Sequence, residues 1–179
     1  MGRTRYYTAT TLDGFIADPH DSLDWLFTRE QERDGPLSYD DFFAGVGALA
    51  MGSTTYEWVL DHGSGKWPYE EPTWVFTHRS LREVPGARIE FRSGDVAPVH
   101  AEMAAAAGDR DLWVVGGGDL AGQFADAGLL DEVIVYIAPV TLGAGRPLLP
   151  RRVELRLEEL ARNVDFACAR YSVVRNPSR

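Results

Sequence analysis

The apolar residues of this chain recur with two different periods, and the change from one to the other predicts the order of elements. Tyr6 to Leu12 is rich in aromatic and β-branched residues and reads as a first strand, turned by Asp13-Gly14 ahead of Phe15-Ile16-Ala17. Asp18 to Ser38 is polar and loop-like around an apolar island of Leu23, Trp25, Leu26 and Phe27. Tyr39 to Ala44 suits a short helix, Val46 to Met51 a short buried strand and Ser53 to Leu60 a helix, before Gly63-Ser64-Gly65 opens a loop. Thr73 to Thr77 reads as a strand, and Ala87, Ile89 and Phe91 alternate with charged residues as on a half-exposed one. Asp95 stands where a helix cap belongs. Val96, Val99, Met103 and Ala107 then share one face, and Gly108 ends the run. Leu112 to Val115 is a short buried strand, and Asp119 to Ala127 is a helix with Leu120 and Phe124 one turn apart. Val133 to Val140 is apolar on both faces, as a central strand is. Val153, Leu155 and Leu157 alternate with Glu154, Arg156 and Glu158, and Phe166 to Val174 is the last strand.

Strand and helix therefore alternate through most of the chain, and strands alone follow. That order predicts an α/β fold with a mixed sheet, parallel in its centre and antiparallel at its C-terminal edge. No internal repeat, long linker or low-complexity tract divides residues 1–179, so a single domain is expected. In such a sheet a ligand sits at the carboxyl ends of the strands, near helix N-termini.

Composition narrows the classes of function. Hydrophobic residues at 45% and charged residues at 25% are the balance of a globular domain with a core. A formal charge of −9 argues against a nucleic-acid surface, which needs clustered Lys and Arg. Cys168 is the one cysteine, so no intrachain disulfide can form, and its place in an apolar strand points to a packed thiol. The segment Met1 to Tyr6 runs straight into a strand, and no apolar run approaches the roughly 18 residues of a membrane span. A cytoplasmic protein with neither a membrane nor a nucleic-acid partner is expected. The four histidines His20, His62, His78 and His100 are scattered without ligand spacing, so no metal is expected.

Three segments carry candidate chemistry. In Leu112 to Leu120 a buried strand ends in Gly116-Gly117-Gly118 and a helix begins. Without Cβ atoms the backbone can approach a ligand closely, and the free N–H groups of the helix attract an anion such as a pyrophosphate. A tight strand-to-helix turn is the plain alternative. In Ala50 to Glu57 a second strand ends in Gly52 and a helix opens with Ser53, Thr54 and Thr55, whose hydroxyls can either cap the helix or bind phosphate oxygens. In Val75 to Ser80 a strand runs into a polar tip, where Arg79 with Thr77, His78 and Ser80 can hold a 2′-phosphate or form a solvated loop.

In this order the three segments resemble the dihydrofolate reductase superfamily, and in particular the reductase domain of bacterial riboflavin biosynthesis. Ala9 to Ala17, with Leu12-Asp13-Gly14, is similar to the first strand and loop of the riboflavin enzymes. Met51-Gly52-Ser53-Thr54-Thr55-Tyr56-Glu57 is similar to the M-G-[RK]-x-T-[YW]-E segment of dihydrofolate reductases, and Val114 to Gly118 to their V-[IV]-G-G-G. Leu129 to Val133, Ala138-Pro139-Val140 and Leu142 to Leu148 resemble the C-terminal pattern of the riboflavin-type domain. The resemblance runs over nearly the whole chain. It implies a three-layer sandwich, a cis Gly116–Gly117 peptide and NADPH as cofactor. Ala9 and Ile16 would pack on the nicotinamide; Gly52, Ser53, Thr54 and Thr55 would bind the pyrophosphate side; Thr77, His78 and Arg79 would hold the 2′-phosphate. Gly117, Gly118, Asp119, Leu120 and Gln123 would line the other phosphate helix.

Departures from the pattern bear on the substrate. Dihydrofolate reductases set one buried carboxylate on the helix after the first loop. Here Asp40 and Asp41 lie nearby at a shortened spacing, and a helix-cap role is the alternative for either. Ser53 stands where Arg or Lys is usual, Val115 where riboflavin-type reductases often have Glu, and their Asp-Asn-Pro stretch is missing. Asp13 can touch substrate or support its turn. Trp25 can wall the cleft or fill the core. Arg146 can hold a substrate phosphate or form a loop salt bridge. The expectation is an NADPH-dependent reductase of a small molecule, of the 5-amino-6-(5-phosphoribosylamino)uracil reductase type or acting on a related pterin or pyrimidine C=N bond. A dihydrofolate-reductase-like activity and a non-catalytic nucleotide-binding protein are the alternatives. By the same resemblance a homodimer is expected, built near the strands at 133–140 and 153–157.

Overall fold

A computed structural model describes residues 1–175. The chain begins with β1 (Thr4–Thr11), β2 (Phe15–Ala17), α1 (Asp24–Phe27), α2 (Tyr39–Phe43), β3 (Val46–Gly52) and α3 (Ser53–His62). It continues with β4 (Thr73–Phe76), β5 (Ile89–Arg92), α4 (Val96–Ala107), β6 (Asp111–Gly116) and α5 (Gly118–Asp126). The last elements are β7 (Glu132–Ala138), β8 (Arg146–Pro147), β9 (Leu155–Asn163) and β10 (Phe166–Val173).

Eight strands form one sheet in the order β5-β4-β3-β6-β1-β7-β10-β9, and β2 pairs with β8 apart from it. Pairing is parallel from β5 to β7 and antiparallel from β7 through β10 to β9, the mixed architecture that the order of periods predicts. The sheet is covered on both sides. Ala48 and Ala50 of β3, Leu112 and Val114 of β6 and Tyr6 of β1 pack under α4 and α5, with Met103 and Phe124 fully buried. The alternate residues Leu49, Met51, Trp113 and Val75 pack under α2 and α3, against Phe42, Tyr56 and Leu60. Two apolar faces on one strand explain why the central strands read as continuous apolar runs. A smaller cluster of Trp25, Tyr136, Ala138, Phe166 and Cys168 closes the C-terminal end. Cys168 is fully buried there, and burial pushes its thiol pKa up, so the packed-thiol expectation holds.

The differences from the expected elements have local causes. β7 stops at Ala138, before Pro139, which has no N–H to donate to a ladder. β9 runs on to Asn163, well past the alternation that ends at Glu158. Leu157 pairs with Tyr171 and Glu159 with Arg170, so the register skips Glu158 and the period of two is broken in the sequence but not in the sheet. The stretch read as loop contains the one-turn helix α1. Neither Ser53 nor Thr54 caps α3: its N-cap is Gly52, with no side-chain capping bond. Asp95 sits at the N-cap of α4 without bonding to it. The Gly116–Gly117 peptide is cis, as the resemblance implies.

Candidate active site

Two strand-to-helix junctions lie side by side because β3 and β6 are neighbours, with Met51 paired to Gly116. At the first, β3 hands over to α3 through Gly52. At the second, β6 hands over to α5 through Gly117. Each glycine is an N-cap with no side-chain capping bond, so the leading N–H groups of both helices lack a side-chain acceptor. Both junctions open on one cavity of about 650 Å³.

Ser53, Thr54, Thr55, Trp58 and Val59 of α3 form one wall of this cavity, and Gly117, Gly118, Asp119, Leu120 and Gln123 the facing one. Thr8 of β1, Val115 and Gly116 of β6, and Phe76 of β4 lie at the sheet side. Ile16 and Ala17 of β2, Arg146 and Pro147 of β8, and Asp21, Leu23 and Tyr69 from loops complete the lining. The β2–β8 ribbon is pinned against α5. A Cβ on Gly118 would run into the carbonyl groups of Pro147 and Leu148, so this glycine serves a close backbone approach. Gly117 differs: a Cβ there would have only Ile16 Cδ1 near it, at 3.8 Å, on the cavity side.

Of the residues singled out from sequence, the structure gathers Ile16, Gly52, Ser53, Thr54, Thr55, Gly117, Gly118, Asp119, Leu120, Gln123 and Arg146 around this space. The others lie elsewhere. Ala9 packs beside Leu23 against the cluster around Trp25 and is not part of the lining, to which its neighbour Thr8 contributes. Trp25 is a core aromatic, 9% exposed, against Tyr136 and Phe166. Asp40 and Asp41 are exposed on the first turn of α2. Ser38 is the cap there, accepting the Asp41 N–H, and Asp40 pairs with Arg33, so neither acid is a cap and neither lines the cleft. Asp13 accepts the Thr11 hydroxyl at 2.6 Å and the N–H groups of Leu142 and Gly143 at 3.1 and 2.8 Å, fastening its turn to a second loop. Thr77, His78 and Arg79 continue from Phe76 beyond the lining. The Thr77 Oγ1 accepts the Arg79 N–H, and the Arg79 guanidinium holds the Glu57 carboxylate through two bonds.

The electrostatics follow from these contacts. Asp119 is held below the usual carboxylate range, first by the Gln123 amide and then by Arg151. Arg146 donates to both oxygens of Asp21. Burial pushes the Tyr69 phenol up to about 12, so at neutral pH it remains an O–H donor. Sequence reasoning missed Thr8, Asp21, Leu23, Trp58, Val59 and Tyr69. Trp58 and Val59 had a signal, since they stand one turn beyond Thr54 and Thr55 and share their face. Asp21 and Tyr69 had none: each sits in a loop, where no period says which way a side chain points.

This fold, with its two glycine junctions at one cleft, defines a protein of the dihydrofolate-reductase-like class. Within that class, the chain belongs to the RibD C-terminal domain family, whose pattern matches residues 5–163. Over 160 residues it is 33% identical to uncharacterized protein YwjB of Bacillus subtilis, an alignment that spans 87% of this chain and 89% of that one. The solved structure of a candidate riboflavin biosynthesis protein from Shewanella sp. PV-4 superposes with a TM-score of 0.81 at 27% identity, covering 97% of this chain and 99% of that one. The dihydrofolate reductase of Enterococcus faecalis, solved in complex with NADP(H), shares the fold with a TM-score of 0.57 at 15% identity, over 98% of this chain and 97% of that one.

Proposed function

We propose that this chain is an NADPH-dependent reductase that delivers a hydride to a C=N bond of a small heterocyclic substrate, the reaction class of 5-amino-6-(5-phosphoribosylamino)uracil reduction. The observation that carries this reading is the pair of uncapped helix N-termini, at Gly52 and Gly117, opening on a single cavity. Two sets of unpaired N–H groups at the positive ends of two helices suit the two phosphates of a dinucleotide. The open side of Gly117 leaves bare backbone facing the space where that group would lie.

When bound, NADPH supplies the hydride. The residues of this chain do the rest. Ser53, Thr54 and Thr55 offer hydroxyls beside the N–H groups of α3, and Gln123 offers its amide from α5. Arg79, with Thr77 and His78, stands beyond Phe76 to meet a 2′-phosphate by exchanging its contact with Glu57. Ile16 and Val115 offer apolar side chains to the cavity, against which a flat ring would pack. The Tyr69 phenol would donate a hydrogen bond to a substrate heteroatom and keep its own proton, and water at the open mouth would supply the proton that the substrate nitrogen takes up with the hydride.

One observation favours a second reading. Neither Asp40 nor Asp41 brings a carboxylate to the cleft, which removes the group a dihydrofolate-type reaction would use and suits a non-catalytic nucleotide-binding protein. The two readings separate in one experiment. NADPH and NADH are titrated against the protein by quenching of its tryptophan fluorescence, and nicotinamide absorbance is then followed with a panel of pterins and pyrimidines. Tighter NADPH binding with turnover of a C=N substrate is the expected result. NADPH binding without any turnover would favour the second reading, and equal affinity for both cofactors would overturn the 2′-phosphate assignment.

A further inference from the structure

The cavity has one guanidinium, and it is engaged. Among the described residues that line the space, Arg146 is the single cationic side chain. Its Nε and Nη2 donate to the two carboxylate oxygens of Asp21 at 2.6 and 3.1 Å. A two-point contact of this kind uses the same donor edge that would grip a phosphate.

The backbone on both sides of the pair is fixed. Arg146 is held on β8 by its pairing with Ala17 of β2, and Gly145 before it packs so closely that a Cβ would strike the Ala17 carbonyl. Opposite, the Asp18 carboxylate accepts the N–H groups of His20 and Ser22 at 2.7 and 2.9 Å, and the Asp18 carbonyl accepts the Asp21 N–H at 3.1 Å. The loop that presents Asp21 is thus closed by its own bonds. Asp18 adds a second negative charge in the field of the same guanidinium.

We infer that Asp21 is a specificity-determining residue: by occupying Arg146 it leaves this end of the cavity without net positive charge and turns the site toward an uncharged heterocycle rather than a phosphorylated one. The inference rests on the reductase reading, which assigns the other anion-attracting groups, the two helix N-termini, to the cofactor. A substrate phosphate would then have only Arg146 to meet, beside the carboxylates of Asp21 and Asp18. A flat neutral ring instead has the apolar sides of Leu23 and Trp58.

The test uses uridine and uridine 5′-monophosphate as probes, titrated calorimetrically against the protein alone and against the protein saturated with NADPH. With NADPH bound, the unmodified protein is expected to show no preference for the phosphorylated probe over uridine. Asp21→Asn keeps the side-chain shape, removes the charge and frees Arg146, and should raise that preference by at least about tenfold, the effect of a charge-assisted contact. The double variant Asp21→Asn, Arg146→Ala should return it to the starting value. A preference for the phosphorylated probe in the NADPH-saturated unmodified protein, or a gain of less than about tenfold in Asp21→Asn, overturns the inference. If the unmodified protein binds neither probe, the gain or its absence in Asp21→Asn still decides. Should Asp21→Asn fail to fold, Asp21→Ser is read in the same way. The NADPH titration stands apart: its failure on folded protein counts against the reductase reading, while on the cofactor-free protein the change that Asp21→Asn makes in the probe preference still reports on Asp21, because the open helix N-termini are the same in both proteins.

Discussion

Single atoms distinguish the roles of adjacent glycines at the β6–α5 junction. Gly117 has ordinary backbone torsions, φ −80°, and a Cβ there meets nothing closer than 3.8 Å. Gly117→Ala is therefore expected to fold with nearly unchanged melting temperature while losing NADPH binding, because the methyl enters the space where the phosphate meets backbone. Gly118→Ala is expected to do the reverse first: its methyl collides with the Pro147 and Leu148 carbonyls, an overpacking that costs about 1–3 kcal/mol. Melting curves and NADPH titrations on both variants check the pair, and unchanged NADPH affinity in folded Gly117→Ala would remove the junction from the cofactor site. Arg79 is exposed and already bound to Glu57, so its contact with a 2′-phosphate is an exchange of partners. Arg79→Ala is expected to narrow the NADPH-over-NADH preference by about tenfold, the low end for a charged contact at an exposed site. Identical cofactor ratios before and after the change would assign the 2′-phosphate elsewhere.

Between elements, short polar ties hold the loops that the sheet does not. Asp13 joins the β1–β2 turn to residues 142–143, and its carboxyl is held below the usual range, mainly by the Thr11 hydroxyl and further by the Gly143 and Leu142 N–H groups. A depressed pKa in the folded state means that the unfolded chain takes up the proton first as pH falls. The contribution of Asp13 is thus fully present above about pH 4, the ordinary aspartate value, and is lost as pH drops through its lowered folded value. Asp13→Asn should melt lower than the unmodified protein at pH 7, with the gap closing below about pH 4. A gap independent of pH would show that the Asp13 charge contributes nothing to this tie. The β9–β10 hairpin shows why elements are harder to read than residues: skipping Glu158 puts Leu155, Leu157 and Leu160 opposite Val173, Tyr171 and Ala169, all on one face. The sequence around Glu158 no longer alternates, so a reading by period stops there.

For the whole molecule, that face matters most. Leu155, Leu157 and Leu160 are 38%, 52% and 67% exposed on an edge strand, beside a core that extends under Tyr171 and Val173. The apolar surface expected near 133–140 lies elsewhere: β7 is interior, flanked by β1 and β10. A second copy of the chain covering β9 is the expected occupant, since isolated edge strands with an apolar face tend to pair, and a stable homodimer needs about 800 Å² from each partner. Sedimentation at micromolar concentration should show a dimer, and Leu157→Asp with Leu160→Asp should give a folded monomer. A monomer for the unmodified protein would leave the β9 face without this role. No described helix is long and apolar enough to cross a membrane.

The sequence by itself determined the order of the eight strands of the main sheet and of α2 to α5, the parallel centre, the antiparallel end and the two glycine junctions, because each of these is written in a local period or in the residues that break it; it gave neither α1 nor β8, which are too short to show a period. The same local character made the cofactor side of the cleft legible: Gly52 to Thr55 and Gly117 to Gln123 are contiguous segments whose neighbours in the chain are their neighbours in space. The tertiary structure alone decided the substrate side. Asp21 and Arg146 are far apart in sequence and meet only because β2 pairs with β8, while Tyr69 reaches the cavity from a loop without periodicity. It also decided against Asp40 and Asp41, whose nearness in sequence to the first loop did not bring them to the cleft, and it placed Ala9 against the cluster around Trp25, beside the lining rather than in it. Local pattern specifies which faces are apolar. Which loops converge on a cavity depends on how the sheet brings distant segments together, and no short-range pattern records that.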